Sequence, residues 1–204
     1  MSRINETLAT DRRRFVRAAV TGGALLLAGG AVFIPRLFAA DAAESNRPIG
    51  TPGTVLLEVF ADNGRDLGAR QVPKLILSDA QWKQRLSPAS YDVLRRNGTE
   101  RAFSGDHEKP AVAGIYRCMG CATALYDAAT EFDSGTGWPS FWQPIAKGNV
   151  LENRDSTFGM ARTEIRCPNC DSHLGHVFDD GPRPTGLRYC MNAVALRFVP
   201  RTAS

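Results

Sequence analysis

RCPNCDSHLGHVFDDGP, residues 166–182, opens with a Cys-x-x-Cys pair and runs at once into a short aromatic and β-branched segment, Gly175-His176-Val177-Phe178. Two thiolates on a tight turn bind one face of a metal ion. The same texture extends in both directions. From Arg101 onward the segments are short and divided by Gly and Pro, as in Gly114-Ile115-Tyr116-Arg117, Glu131-Phe132-Asp133 and Leu187-Arg188-Tyr189-Cys190. Ala193–Val199 (AVALRFV) has the strongest strand signature. This pattern predicts a mainly β, antiparallel domain. Upstream, Val55–Phe60 followed by Asp62-Asn63-Gly64 reads as the first strand of a hairpin. Ser78-Asp79-Ala80-Gln81 is a capping-box pattern opening a helix through about Leu86. Ser87-Pro88 opens a second helix through about Arg96, closed by Asn97-Gly98.

The chain has 204 residues, 43% hydrophobic and 23% charged, the balance of a globular protein. Its formal charge of +4 sits largely at the start. Six basic and three acidic residues precede position 43, leaving 19 basic and 18 acidic residues for the rest. The body therefore offers no electrostatic case for nucleic-acid binding. Asp11-Arg12-Arg13-Arg14-Phe15-Val16-Arg17, an apolar stretch from Ala18 to Ile34 and the small triplet Ala40-Asp41-Ala42 read as a cleavable export signal that resembles a twin-arginine leader. Membrane contact is expected only through this signal. The alternative, an uncleaved anchor, must contend with a stretch shorter than the roughly 20 residues of a membrane span. Residues 1–42 are read as the signal, 43–73 as an extension or linker with a possible hairpin, 74–199 as the main folded domain and 200–204 as a tail.

Five cysteines are present: Cys118, Cys121, Cys167, Cys170 and Cys190. The first four form two Cys-x-x-Cys knuckles, a set suited to one tetrahedral zinc ion with no open coordination position, hence a structural ion. A thioredoxin-type pair or two plain disulfides are the alternatives. Cys190 is left over. An odd cysteine flags a reactive thiol, although a buried small hydrophobe is the bland alternative. Arg188 lies on the same side of a strand, where its charge would favour the thiolate, and Asn192 follows on that face. His173 and His176 complete a set of residue types used in thiol catalysis, and His107 is the third histidine. Trp138, Phe141 and Trp142, in FDSGTGWPSFW from Phe132 to Trp142, offer an apolar wall or a packed turn.

RCMGC, FDSGTGWPSFWQP, RCPNCDSHLGHVFDDGP and RYCMNAVALRF, in this order and preceded by YDVLRRNGTERAFSG (91–105), resemble the methionine sulfoxide reductase B family over about residues 74–199. The resemblance implies two small antiparallel sheets with short N-terminal helices and a four-cysteine zinc site. It also implies an oxidoreductase that reduces the R epimer of methionine sulfoxide, protein-bound and in some cases free, in repair of oxidised proteins. Carried over by position, Cys190 is the nucleophile. Trp138 holds the substrate methyl group; Phe141, from the aromatic wall, and Arg188, from the Cys190 strand, are expected as further substrate-binding residues on the reading of the residues above. His173, His176 and Asn192 polarise the sulfoxide, and His176, next to Val177-Phe178, is the preferred proton donor. Many members carry a resolving cysteine where Thr136 stands here. No sixth cysteine exists, so a Cys190 sulfenic acid regenerated by an external thiol reductant is expected, in a monomeric, exported, periplasmic protein. The rivals from other classes are a zinc-ribbon interaction module and an exported thiol peroxidase or disulfide carrier.

Overall fold

The computed structural model describes residues 48–105, 110–155 and 162–201. The leader and His107 lie outside the described residues. Among these residues, no helix is long and apolar enough to cross a membrane.

The described residues open with β1 (Pro48–Ile49), followed by the hairpin β2 (Thr54–Phe60) and β3 (Asp66–Pro73). The turn between them forms where expected: Ala61 N–H donates to Arg65 O, the Asn63 side chain accepts from Arg65 N–H at 3.0 Å, and Gly64 supplies φ +86°. β4 (Leu77–Ser78) pairs with β1 and leads into α1 (Asp79–Arg85). The Ser78 hydroxyl accepts from Gln81 N–H while the Gln81 side chain accepts from Ser78 N–H, so the capping box is complete. α2 (Pro88–Arg96) starts at Ser87 with Pro at the first position and ends at Asn97, in the left-handed region at φ 57°.

The remaining strands are β5 (Gly114–Cys118), β6 (Ala124–Asp127), β7 (Glu131–Phe132), β8 (Ser140–Phe141), β9 (Leu151–Asp155), β10 (Arg162–Arg166), β11 (His173–Phe178), β12 (Arg188–Met191) and β13 (Leu196–Pro200). They form a six-stranded sheet in the order β7-β8-β12-β11-β10-β9 and a three-stranded sheet β13-β5-β6, antiparallel throughout. Trp82 and Leu94 from the helices meet Leu125, Tyr126, Phe141, Ile165, Leu174 and Met191 in the core, all of them fully buried. Tyr126 stacks on Phe141 at 4.3 Å, and Tyr116 meets Phe141 edge-on at 5.0 Å.

One local expectation changes. Ala193–Val199 is not one strand. Ala193–Ala195 is a 3-10 turn and the strand begins at Leu196, because the Glu100 carboxylate takes the N–H groups of Ala193 and Val194 away from any ladder. Pairing also reaches into both segments read as flanks. Pro48–Ile49 pairs with Leu77–Ser78, and Pro200 pairs with Gly114, after which Arg201 N–H bonds Ala113 and its guanidinium pairs with Asp127. The hairpin is fastened by Asn149. This fully buried amide accepts from Glu58 N–H at 3.0 Å and donates to the carbonyls of Glu58 and Ala124 at 2.8 Å each.

Candidate active site and four-cysteine cluster

The two knuckles are built alike. Cys118 N–H bonds Thr123 O and Ala122 N–H bonds Cys118 O; Cys167 N–H bonds Ser172 O and Asp171 N–H bonds Cys167 O. Ala122 (φ 63°) and Asp171 (φ 57°), each just after the second cysteine of its pair, adopt the left-handed backbone that closes the turn. Both helices hold these turns in place: Arg85 of α1 donates to Gly120 O at 2.6 Å and Arg95 of α2 to Cys170 O at 2.8 Å. The four sulfurs all lie within 4.8 Å of one another, with Cys118–Cys170 at 3.7 Å and Cys121–Cys167 at 3.4 Å. A tetrahedral ion with ligands at about 2.3 Å sets its sulfurs roughly 3.8 Å apart, so the set fits a metal ion of that kind. Contact among the sulfurs pushes the Cys118 thiol up and pulls Cys121 down. A cation held between the four sulfurs would favour their thiolate forms and relieve the repulsion among them.

The cleft lies on β11 and β12. In β12, Tyr189 and Met191 point into the core, which turns Arg188 and Cys190 to the opposite face. Cys190 is the register partner of His176 on one side and of Ser140 on the other. Gly175 is required beside it, since a Cβ there would stand 2.1 Å from the Cys190 carbonyl oxygen. Cys190, His176, Trp138 and Asn192 line a cleft of about 160 Å³ together with Thr99, Arg162 and Phe178. That space suits the end of one side chain, against the roughly 300 Å³ or more of a typical small-molecule site.

The expected residues divide into those the cleft collects and those it does not. His173 is buried behind it, its Nδ1 2.7 Å from the Glu164 carboxylate and its ring edge-on to His176 at 5.4 Å. Burial holds the His173 imidazole below its ordinary value, with Glu164 opposing. The Asn192 amide is spent on the backbone, accepting from Glu100 N–H and donating to Leu174 O, both at 3.0 Å. Phe141 does not reach the cleft; it fills the core against Tyr126, because β8 alternation turns it inward opposite Ser140. Trp142 is also outside the cleft lining.

Arg188 shares the Cys190 face as expected, but its guanidinium is held by Asp180 through two 2.8 Å bonds and lies 4.4 Å over the Phe178 ring. It does not make Cys190 acidic. Burial pushes the Cys190 thiol up, and Arg188, Thr136 and Ser140 only partly oppose it. Glu100, Glu164, Thr99 and Arg162 had no local signature. Glu100 is the one that ties the cleft together, since its carbonyl accepts from Trp138 Nε1 at 3.2 Å while its N–H holds Asn192.

The SelR domain family matches residues 86–200. A protein of Agrobacterium fabrum named peptide methionine sulfoxide reductase MsrB is 53% identical over 128 residues, covering 63% of this chain and 95% of that protein. Proteins of the same name from Pseudomonas syringae pv. syringae and Bradyrhizobium diazoefficiens are 56% and 53% identical over 122 and 128 residues, covering 93% and 92% of their lengths and 60% and 63% of this chain. With the matched segment holding all four knuckle cysteines, Trp138, His176 and Cys190, the chain belongs to the SelR-domain, methionine sulfoxide reductase B family of oxidoreductases.

Proposed function

We propose that this protein reduces the R epimer of methionine sulfoxide in oxidised proteins, with Cys190 as the nucleophile. The observation that carries the proposal is the placement of the Cys190 sulfur opposite His176 in a cleft walled by Trp138. The Cys190 sulfur attacks the sulfoxide sulfur while the substrate methyl group rests on Trp138. His176 delivers a proton to the sulfoxide oxygen as the S–O bond breaks. The oxygen departs as water once doubly protonated, water then attacks the Cys190 sulfur as the new S–S bond breaks, methionine leaves with that electron pair, and Cys190 becomes a sulfenic acid. An external thiol then displaces water to form a mixed disulfide, and a second thiol releases the Cys190 thiol and the oxidised reductant. Support for an outside reductant is that the other four cysteines are gathered in the cluster, while Thr136 presents only a hydroxyl to Cys190. The cluster suits zinc, which would cross-link the knuckles and leave the chemistry to the cleft.

Methionine formation from stereodefined R and S sulfoxides tests the reaction. Wild type is expected to turn over the R epimer alone, and Cys190→Ser neither. Equal use of both epimers, or an active Cys190→Ser, refutes it. The arginine-rich start supports export by the twin-arginine route to the periplasm. In cell fractionation, Arg12→Lys with Arg13→Lys should hold the protein in the cytoplasm; unchanged export counts against that route.

A further inference from the structure

The Cys190 sulfur has hydroxyl neighbours on the side away from His176. Ser134 Oγ lies 2.8 Å from Thr136 Oγ1 and 2.8 Å from Ser140 Oγ. Ser140 is the fully buried register partner of Cys190, which sets the two side chains beside each other on one face of the sheet, and Thr136 and Ser140, with Arg188, pull the Cys190 thiol down against the effect of burial. The loop carrying Ser134 and Thr136 is set by the Asp133 carboxylate, which accepts from Gly135 N–H at 2.8 Å, and by Gly135 and Gly137 at φ +70° and +81°.

Counting protons shows which state of the sulfur this cluster suits. With a neutral thiol the S–H needs an acceptor, and the Ser140 hydroxyl can turn to Trp138 O, 3.3 Å away. With an ionised sulfur, Thr136 and Ser140 both donate to it and Ser134 donates to one of them. Every hydroxyl proton then has an acceptor, and the two bonds to sulfur are charge-assisted. The charged and titratable groups around the sulfur are His176 on β11, Arg162 on β10, Arg188 with its partner Asp180, and Glu100, whose carboxylate holds the turn after Asn192.

We propose that Ser134 is a positioning residue for the Cys190 sulfur: by bridging Thr136 and Ser140 it aims both hydroxyls at the sulfur as donors to the thiolate. The proposal deepens the function above and rests on it only in taking Cys190 as the reacting group.

Alkylation of Cys190 by iodoacetamide in the intact, zinc-loaded chain tests it, followed by mass analysis of the Cys190 peptide between about pH 6 and about pH 10. Ser134→Ala should raise the midpoint by about half to one pH unit, a roughly three- to tenfold slower reaction at lower pH. Thr136→Val should act in the same direction, and Ser134→Thr, which keeps the bridging hydroxyl, should restore the wild-type midpoint. Loosening of the site would do the opposite, because admitting water relieves the burial that pushes the thiol up. Midpoints unchanged or lowered in Ser134→Ala or Thr136→Val overturn the proposal. No sulfoxide is present, so this outcome is independent of the epimer assay.

Discussion

His176 and Cys190 face each other as register partners across β11 and β12, so both side chains leave the sheet on the cleft side. Directly opposed residues on one face of an antiparallel pair have Cβ atoms roughly 4.5–5.5 Å apart. A sulfoxide over the sulfur therefore sits within reach of the imidazole. Removing it with His176→Ala should slow single-turnover methionine formation about 100-fold or more. The loss should be greatest at neutral and alkaline pH, where solvent is a poor proton source. Near wild-type single-turnover rates in His176→Ala would remove His176 from the proposed mechanism.

Metal removal should act on the fold before it acts on the chemistry. The knuckles are clamped to α1 and α2 through Arg85 and Arg95, and three of the four sulfurs are buried. Elemental analysis of purified protein should find about one zinc per chain. Cys167→Ser, or strong chelation, should lower the thermal midpoint sharply. A metal-free chain with wild-type stability would show the cluster to be a set of plain thiols.

Much of this architecture was legible in short-range chemistry. Ser78 with Gln81, Ser87 with Pro88 and Asn97 specify both helices, since caps depend on residues three or four apart. The paired Cys-x-x-Cys spacing marks the cluster for the same reason. Misread features depend on contacts distant in sequence. The Ala193–Ala195 turn exists because Glu100, more than 90 residues earlier, supplies the acceptor. The residue pattern around GWPSF does not tell which aromatic faces the cleft; pairing of Phe141 with Tyr189 and stacking on Tyr126 decides that. Likewise Arg188 on the Cys190 face suggests an acidified thiol only until Asp180 and the burial of the sulfur are taken into account.

Glu100 should prove a determinant of substrate affinity. Its carboxylate holds Ala193 and Val194 N–H while its backbone holds Asn192 and the Trp138 indole. Glu100→Ala frees both backbone donors and should cost about 1–3 kcal/mol of stability. It should also let Trp138 drift, raising KM for a sulfoxide substrate several-fold and altering indole fluorescence. An unchanged KM would show that Trp138 is held by other contacts.

His173 predicts a pH dependence of stability. Burial keeps its imidazole below the ordinary 6.5, so the unfolded chain takes up a proton at a higher pH than the folded chain does. As pH falls below about 6.5, stability should decline by at most about 1.4 kcal/mol per pH unit from this group, until the folded imidazole also protonates. His173→Asn, which keeps a donor towards Glu164, should have a flatter profile. The readout is the difference between the two denaturation series, because other groups titrate in both. Parallel profiles would mean that Glu164 compensates the burial fully.

The last prediction concerns the hairpin, which precedes the segment matched by the SelR family. Asn149 pairs with Glu58 as a strand neighbour would, accepting its N–H and donating to its carbonyl, and adds a bond to Ala124 O. Each bond contributes roughly 0.5–1.5 kcal/mol. Asn149→Ala should therefore cost about 2–4 kcal/mol, because three buried or half-buried backbone groups lose their partner together. Asn149→Asp is the sharper test. A carboxylate can still accept from Glu58 N–H but cannot donate to either carbonyl, so it should be as damaging as alanine or worse at neutral pH. Once acid protonates the new carboxyl group, its O–H restores one donor and part of the lost stability. Arg117, which donates to Phe60 O at 2.8 Å and pairs with Asp62 at 2.9 Å, should keep the hairpin's far end attached in every variant. Hydrogen exchange should therefore accelerate at Glu58 and Ala69, register partners near Asn149, before it does at the turn. Uniform acceleration across the hairpin would mean that it detaches as one unit and that Asn149 is its sole latch.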